Sequence, residues 1–554
     1  MRKYIIALVF AVVGGSAITS CSDSFLQEHI QAQLAPETLT TPTGFDALVV
    51  GLHKQYFTFH TKDDTQGWLS VWQAGTDIAW VPQPQAQGIE KPYYNYELLS
   101  STDAGASFAW TWAYKLIKNA NVIIASVEDP ALTGISQEQK DAIDAEARFF
   151  RGLAYNFLVT AFGDVPVTTE LVTTPKTDFV RKPVSEINNL IEGDLTFAVA
   201  HLPNIDNVVT SGRICDAAAR QLLAEAYLRM GRPADAVTQC QAIISSNKFK
   251  LVTARYGKTV SLPGDPFSDM FRVGNMRRSE GNTEGIWIFQ VDNAQFDLLG
   301  ANTGSPQQRR VWGGGYYNIP GMALADSLGG RGISRLRLNN WVLYGLYPTG
   351  DMRNSQFNIK RNFWYNDATY DGRDANHPNL YRQRAIPKLS GQQPLYADTM
   401  YKMHPYTLKW GQFDPRDTFG YAMYKDLCLM RLGEVYLLLA EALFKQGDMA
   451  GAADAINILR DRAHAPHVNA GDITLDFVLD ERVRELIGEE NRRLTLMRTG
   501  TLYDRVNRLN PPVPGNPVGI NITNLTQDKA KFLPIPQSEI NLNKDAVLEQ
   551  NQGY

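Results

Sequence analysis

The ten tryptophans of this 554-residue chain fall in two groups, five between positions 68 and 112 and five between 287 and 410. Around the first group stand Trp72, Asp77, Trp80, Gln83, Gln85, Tyr93 and Asn95. Around the second stand Trp312, Tyr316, Tyr317, Asn318, Trp341, Asn362, Trp364, Tyr365 and Asn366. An indole plane stacks on the flat C–H face of a sugar ring, and amides and carboxylates hydrogen-bond its hydroxyls. Aromatics mixed with such groups on irregular backbone therefore have the chemistry of an oligosaccharide site. The candidate ligand-binding residues are Trp72, Asp77, Trp80, Tyr93, Asn95, Trp312, Tyr316, Trp341 and Trp364. Trp110 and Trp112 lie in a helical pattern and are expected in the core. Trp287, in an Ile-Trp-Ile-Phe run, is expected in a buried strand. For Trp80, Trp312, Trp341 and Trp364, core and site are equally open readings.

Other constellations are weaker. Glu481, Glu485 and Glu489 recur every four residues among Arg482, Arg484, Arg492, Arg493 and Arg498. That spacing is expected to give a salt-bridged helix face rather than a catalytic carboxylate pair. His464 and His467 flank Pro466, which breaks the helix that would align them, and no third ligand is evident, so no metal site is expected. The Gly313-Gly314-Gly315 run lacks the Lys-Ser/Thr and the strand–helix context of a phosphate loop. No nucleophile elbow or Cys–His pair stands out, and no cofactor is called for. Asp351, Asp367, Asp371 and Asp374 keep glycan hydrolysis open, because it needs two carboxyls roughly 5–10 Å apart in an aromatic cleft.

The chain starts with Arg2 and Lys3, then an apolar run from Ile5 to Thr19 interrupted by Gly14 and Gly15. This is too short for a membrane span, which needs roughly 20 apolar residues, and fits a signal-peptide core. Small residues then precede Cys21, a lipobox pattern that predicts removal of residues 1–20 and acylation of Cys21. Such a terminus anchors a protein to a membrane without spanning it. The net charge is −4, with no basic footprint for nucleic acid. Cys215, Cys240 and Cys428 sit in apolar helical contexts and read as buried thiols; a Cys215–Cys240 bridge has no support in the pattern.

Helical periodicity predicts helices over 42–60, 105–128 and 137–162, the last stopped by Gly163 and Pro166. A charged amphipathic helix is expected over 475–498. Leu222-Leu223-Ala224-Glu225-Ala226, followed by Gly231 and Ala236, matches Leu438-Leu439-Ala440-Glu441-Ala442 followed by Gly447 and Ala452. Each copy reads as a helix, a Gly turn and a second helix, the logic of a tetratricopeptide repeat. The fold expected is mainly α, with repeat-like helix pairs in an α superhelix. The parts are an N-terminal region over 21–250 with an aromatic loop at 61–100, an irregular aromatic-rich insert over 251–425, and a C-terminal helix-pair region with closing tail over 426–554. An insert this long must be an ordered subdomain.

Several runs together resemble the SusD/RagB family. They are Cys21-Ser22-Asp23-Ser24-Phe25-Leu26, Ala145 to Gly152 running into Phe162-Gly163-Asp164-Val165-Pro166, Met430 to Ala442 with Ile458 to Ala463, Glu481 to Arg493, and Pro534-Ile535-Pro536 with Gln550 to Tyr554. The resemblance implies helix pairs backing a variable ligand-binding insert. It also implies an outer-membrane lipoprotein facing the cell exterior, partnered with a SusC/RagA-type TonB-dependent transporter and binding rather than turning over its ligand. An oligosaccharide is the expected ligand. Peptide capture on the same architecture is the alternative, and a surface glycan hydrolase a further one.

Overall fold

A computed structural model describes residues 41–61, 68–81, 88–130, 132–171, 174–291, 308–319, 321–325, 328–364, 366–367, 384–385, 402–411, 423, 425–510 and 522–554. Residues 1–40, Cys21 among them, and Gln83, Gln85, Tyr365, Asp371 and Asp374 lie outside the described residues, as does the Trp364 side chain.

The fold is mainly helical. The predicted helices appear as α1 (Pro42–Thr61), α2 (Ala104–Glu128) and α3 (Gln137–Phe162). Their ends have chemical causes. The Asp103 side chain accepts the Ala106 N–H at the start of α2. Ser136 and Gln139 form a reciprocal capping box at the start of α3, and Gly163, at φ +75°, closes it. The inward faces carry Ala147, Phe150, Ala154 and Ala161, all fully buried.

The two repeat copies are helix–turn–helix pairs. The first is α5 (Asp216–Arg229) with α6 (Pro233–Ser245); α4 (Val184–His201) precedes it. The second is α8 (Leu432–Gln446) with α9 (Met449–Ala463). Gly231 and Gly447 both turn in the left-handed region, at φ +74° and +84°. Ala236 and Ala452 are fully buried where the helices approach. Although 216 residues separate the copies, α8 packs directly on α6. The helices stack as α2 on α3, α3 on α4, α4 on α5, then α5, α6, α8 and α9.

The intervening chain contributes short antiparallel strand pairs. β1 (Ala79–Trp80) pairs with β3 (Arg337–Leu338), and β2 (Gly285–Phe289) with β8 (Leu427–Arg431). β4 (Ile359–Lys360) pairs with β7 (Tyr406–Thr407), and β5 (Phe363–Trp364) with β6 (Arg384–Ala385). A short helix α7 (Asn340–Tyr344) follows β3. Trp287 is buried in β2, and Trp110 and Trp112 are buried in α2, as their patterns predict.

The helix expected over 475–498 is two helices, α10 (Leu475–Leu486) and α11 (Arg492–Arg498), followed by α12 (Leu502–Leu509). Gly488, at φ +83°, makes the break, and its carbonyl accepts the Trp410 indole N–H at 3.0 Å. A Cβ there would lie 3.0 Å from both Thr407 and Trp410. The charges of α10 are not a solvated face, because Glu481 and Glu485 are fully buried. Arg353 meets Asp351, Glu481 and Glu485, while Arg431 meets Glu284, Glu485 and Glu489. The carboxylates are salt-bridged as expected, Glu481 with Arg484 one turn on, but most partners come from β8, α9 and the insert, so the paired face is buried rather than solvated. Burial alone would raise the Glu485 pKa; Arg462, Arg431 and Arg353 hold it well below the carboxylate range. This interior network ties insert to helices. Removing one member of such a network leaves an uncompensated buried charge.

Candidate functional site

Asp77 sits where three parts of the chain meet. Its fully buried carboxylate accepts from Arg492 Nε at 2.9 Å and Nη2 at 2.6 Å, and from Arg505 Nε at 2.7 Å. Burial would raise its pKa, and the two guanidiniums reverse the effect and hold it below the ordinary value. Its main-chain carbonyl accepts from Asn339 Nδ2 and from the Trp341 indole N–H. One residue thus fixes the 72–81 loop to α11 and α12 through its side chain, and to the start of α7 through its backbone. Asp77 is a buried counter-ion. That corrects the expectation that it hydrogen-bonds ligand hydroxyls: both its oxygens are already taken by cations.

From this anchor, β1 leads to β3, with Trp80 opposite Arg337. The Arg337 guanidinium lies 5.4 Å from the Trp80 ring centroid, and its Nη2 donates to Asn340 Oδ1 at 3.0 Å. Trp80 retains 8 % exposure at this edge. Asn340 is exposed, Trp341 is half-buried, and Tyr344, one helical turn on, is 51 % exposed. Arg505 lies over the Trp341 ring at 5.9 Å. The strand pairing therefore brings the two sequence neighbourhoods, one at Trp80 and one at Trp341, to a single edge.

The other candidates go elsewhere. Tyr93 is fully buried, donates its hydroxyl to Asp103 at 2.7 Å and lies under Arg493, so its ring is committed to packing. Asn95 is half-buried and caps the 3-10 turn at Tyr96–Leu98; its Oδ1 accepts from Thr523 and Asn524 at 3.2 Å each, tying down the C-terminal segment. Tyr316 is buried, and its hydroxyl both donates to the Ala325 carbonyl and accepts the Ala325 N–H. Tyr93 and Tyr316 are corrections to the ligand-contact expectation, because their rings are buried and their hydroxyls are satisfied by the protein itself, whereas Asn95 has its Oδ1 committed to backbone and C-terminal contacts. Trp364 lies in β5, opposite Arg384. Trp72 and Trp312 are buried and line a cavity of about 240 Å³, together with Trp112 and Trp410.

The sequence reading missed Tyr344, and missed Arg492 and Arg505 as the partners that set the Asp77 loop. The signal for Tyr344 was its spacing of three from Trp341. Among the described residues, no group of His, Cys, Asp and Glu could hold a metal ion, and no helix is long and apolar enough to cross a membrane. Cys215, Cys240 and Cys428 are free and buried. Burial pushes the Cys215 thiol up to about 11.

Fold and site together define a class in which stacked helix pairs carry an aromatic-edged insert. A family model described as "SusD family" matches residues 340–554, and one described as "Starch-binding associating with outer membrane" matches residues 36–228. The chain belongs to the SusD/RagB family. It is 27 % identical to a SusD-like protein of Formosa agariphila over 97 % of both chains. It is 36 % identical to the starch-binding protein SusD of Bacteroides thetaiotaomicron over 129 residues, covering 23 % of this chain and 22 % of that one. A solved structure titled "Laminarin binding SusD-like protein" shares the fold with a TM-score of 0.66 at 20 % identity, over 93 % of this chain and 100 % of that one.

Proposed function

We propose that this protein is an outer-membrane lipoprotein, acylated at Cys21 and facing the cell exterior. In this reading it captures a neutral or weakly charged oligosaccharide and passes it to a SusC/RagA-type TonB-dependent transporter. The helical regions over 21–250 and 426–554 back the insert over 251–425, which presents the ligand side. The observation that carries the reading is the β1–β3 pairing, which sets Trp80, half-buried Trp341 and exposed Tyr344 along one edge beside the Asn340 amide. Exposed Tyr344 and half-buried Trp341 offer the stacking surface, Trp80 supports it from beneath Arg337 with only a rim exposed, and Asn340 offers hydroxyl partners. The names of two relatives, one laminarin-binding and one starch-binding, support a glycan as ligand.

Binding rather than turnover is supported by the state of two described acids. A glycosidase acid needs a raised pKa, whereas Asp77 is held low by Arg492 and Arg505, and Asp351 is paired with Arg353. Stacking on an open edge gives modest affinity, with Kd from micromolar to millimolar, roughly −8 to −4 kcal/mol. Calorimetry against a glycan panel and a mixed peptide pool tests the reading. Saturable heat with an oligosaccharide supports it. Heat from peptides alone overturns the ligand class, and sustained release of new reducing ends overturns the binding-only role.

A further inference from the structure

The cavity lined by Trp72 and Trp312 has its own chemistry. Four indoles line it: Trp72, Trp112, Trp312 and Trp410. Among its lining residues, Gln73, Gln221 and Gln308 are each more than nine-tenths buried, and each leaves its Oε1 without a hydrogen-bond partner among the described residues. Arg482, at 2 % exposure, leaves Nη1 unpartnered in the same way, although its Nε and Nη2 bind Glu490 and Glu434. A buried polar atom with no partner costs about 1–3 kcal/mol, and native proteins leave few of them. Several around one cavity indicate that something polar occupies it.

The pattern of donors and acceptors narrows the occupant. His60 Nδ1 faces Gln308 Nε2 at 3.3 Å, and an amide N–H can only donate, so the imidazole proton sits on Nε2. Burial supports the neutral ring, lowering the His60 pKa to about 4. His60 Nε2 is itself unpartnered. The His60–Gln308 pair therefore presents one free donor and one free acceptor, the complement of a hydroxyl group, which accepts and donates at once. The remaining acceptors on Gln73 and Gln221 call for further O–H donors, and Arg482 calls for an oxygen. Indole walls with a few convergent polar groups suit a small ring bearing several hydroxyls, and about 240 Å³ holds one such ring rather than a chain of them.

We propose that the cavity between Trp72, Trp312 and Trp410 is a second binding site, taking a single neutral polyhydroxylated ring of monosaccharide or cyclitol size. It is separate from the Trp80–Trp341 edge and does not depend on that edge binding a glycan. The full-length protein titrated with glucose, galactose and myo-inositol reads it directly through the fluorescence of the lining indoles and through calorimetry. The expected result is a saturable change, with a Kd no weaker than millimolar, for at least one of the three. Gln221→Leu and Gln73→Leu keep volume and remove the acceptor, so each is expected to weaken that Kd roughly three- to tenfold. Val209→Ala, at an exposed residue outside both the cavity lining and the edge, is expected to leave it unchanged. No saturable response to any of the three, or a response equally strong in both Gln variants, overturns the proposal. A crystal soaked in the best-binding ring keeps the question independent of the variants' folding: water alone in the cavity refutes the site, and ring density against Gln308 and His60 supports it.

Discussion

Replacing Asp77 by Asn keeps the shape of the side chain and deletes its charge. Three charge-assisted contacts converge on this carboxylate, from Arg492 Nε, Arg492 Nη2 and Arg505 Nε. An amide offers one acceptor oxygen where the carboxylate offers two, so at least one guanidinium N–H loses its partner. Removing one member of a buried ion pair costs about 3–5 kcal/mol. The cost here falls at the lower end, about 3 kcal/mol, because Arg505 keeps Asp476 and Asp480, and Arg492 keeps Glu490. Urea unfolding followed by tryptophan fluorescence is the assay, with the shift read at unchanged slope. Combining Asp77→Asn with Arg505→Gln is expected to cost less than the sum of the single changes, because both act on one contact. A loss below about 1 kcal/mol, or full additivity, would refute the account of Asp77 as the buried counter-ion that fixes the 72–81 loop.

Burial would raise the Glu441 pKa, but Arg498, gripping both its oxygens at 2.6 Å, and Lys445 lower it from 4.5 to about 2. A lowered folded-state pKa stabilises above the unfolded value, so this contribution, about 3 kcal/mol, is intact above pH 4.5 and lost as pH falls toward 2; Glu441→Gln should flatten that limb of an acid titration. Gly447 has φ +84° and no atom within 4 Å of where a Cβ would stand. Gly447→Ala should therefore cost about 1–2 kcal/mol through backbone strain alone in thermal or urea unfolding, and Gly447→Asn distinctly less. Cys215, Cys240 and Cys428 should be inert to a thiol reagent in the native protein and react only on unfolding, as counted by absorbance with and without denaturant.

Local patterns were legible and distant ones were not. The 3.6-residue periodicity located α1, α2 and α3 closely, and matched Gly and Ala offsets exposed the two helix pairs before any coordinate. Those signals arise within a few turns of chain. The charged stretch from Glu481 to Arg498 reads as a salt-bridged helix face, and Arg484 and Arg482 do pair within it. The partners that bury it are far away in sequence: Arg353 lies 132 residues from Glu485, and Asp77 lies 415 from Arg492. For the aromatics, residue type set the kind of chemistry but not the side on which each ring would fall. Tyr93 and Tyr316 carry the same indicators as Trp341, and only the packing around Asp103 and Ala325 separates them. The meeting of Trp80 with the start of α7 depends on a strand pair of two residues each, too short to leave a period in the sequence.

Ligand capture at the β1–β3 edge is the central proposal for this molecule. Titration of the wild-type protein and of Trp341→Ala with the tightest-binding oligosaccharide of the panel, by calorimetry, tests it most directly. Loss of one stacking ring should weaken binding at least tenfold, about 1.4 kcal/mol or more, with the fold intact by circular dichroism. Unchanged affinity in Trp341→Ala, and likewise in Trp80→Ala, would contradict the assignment of this edge as the binding site.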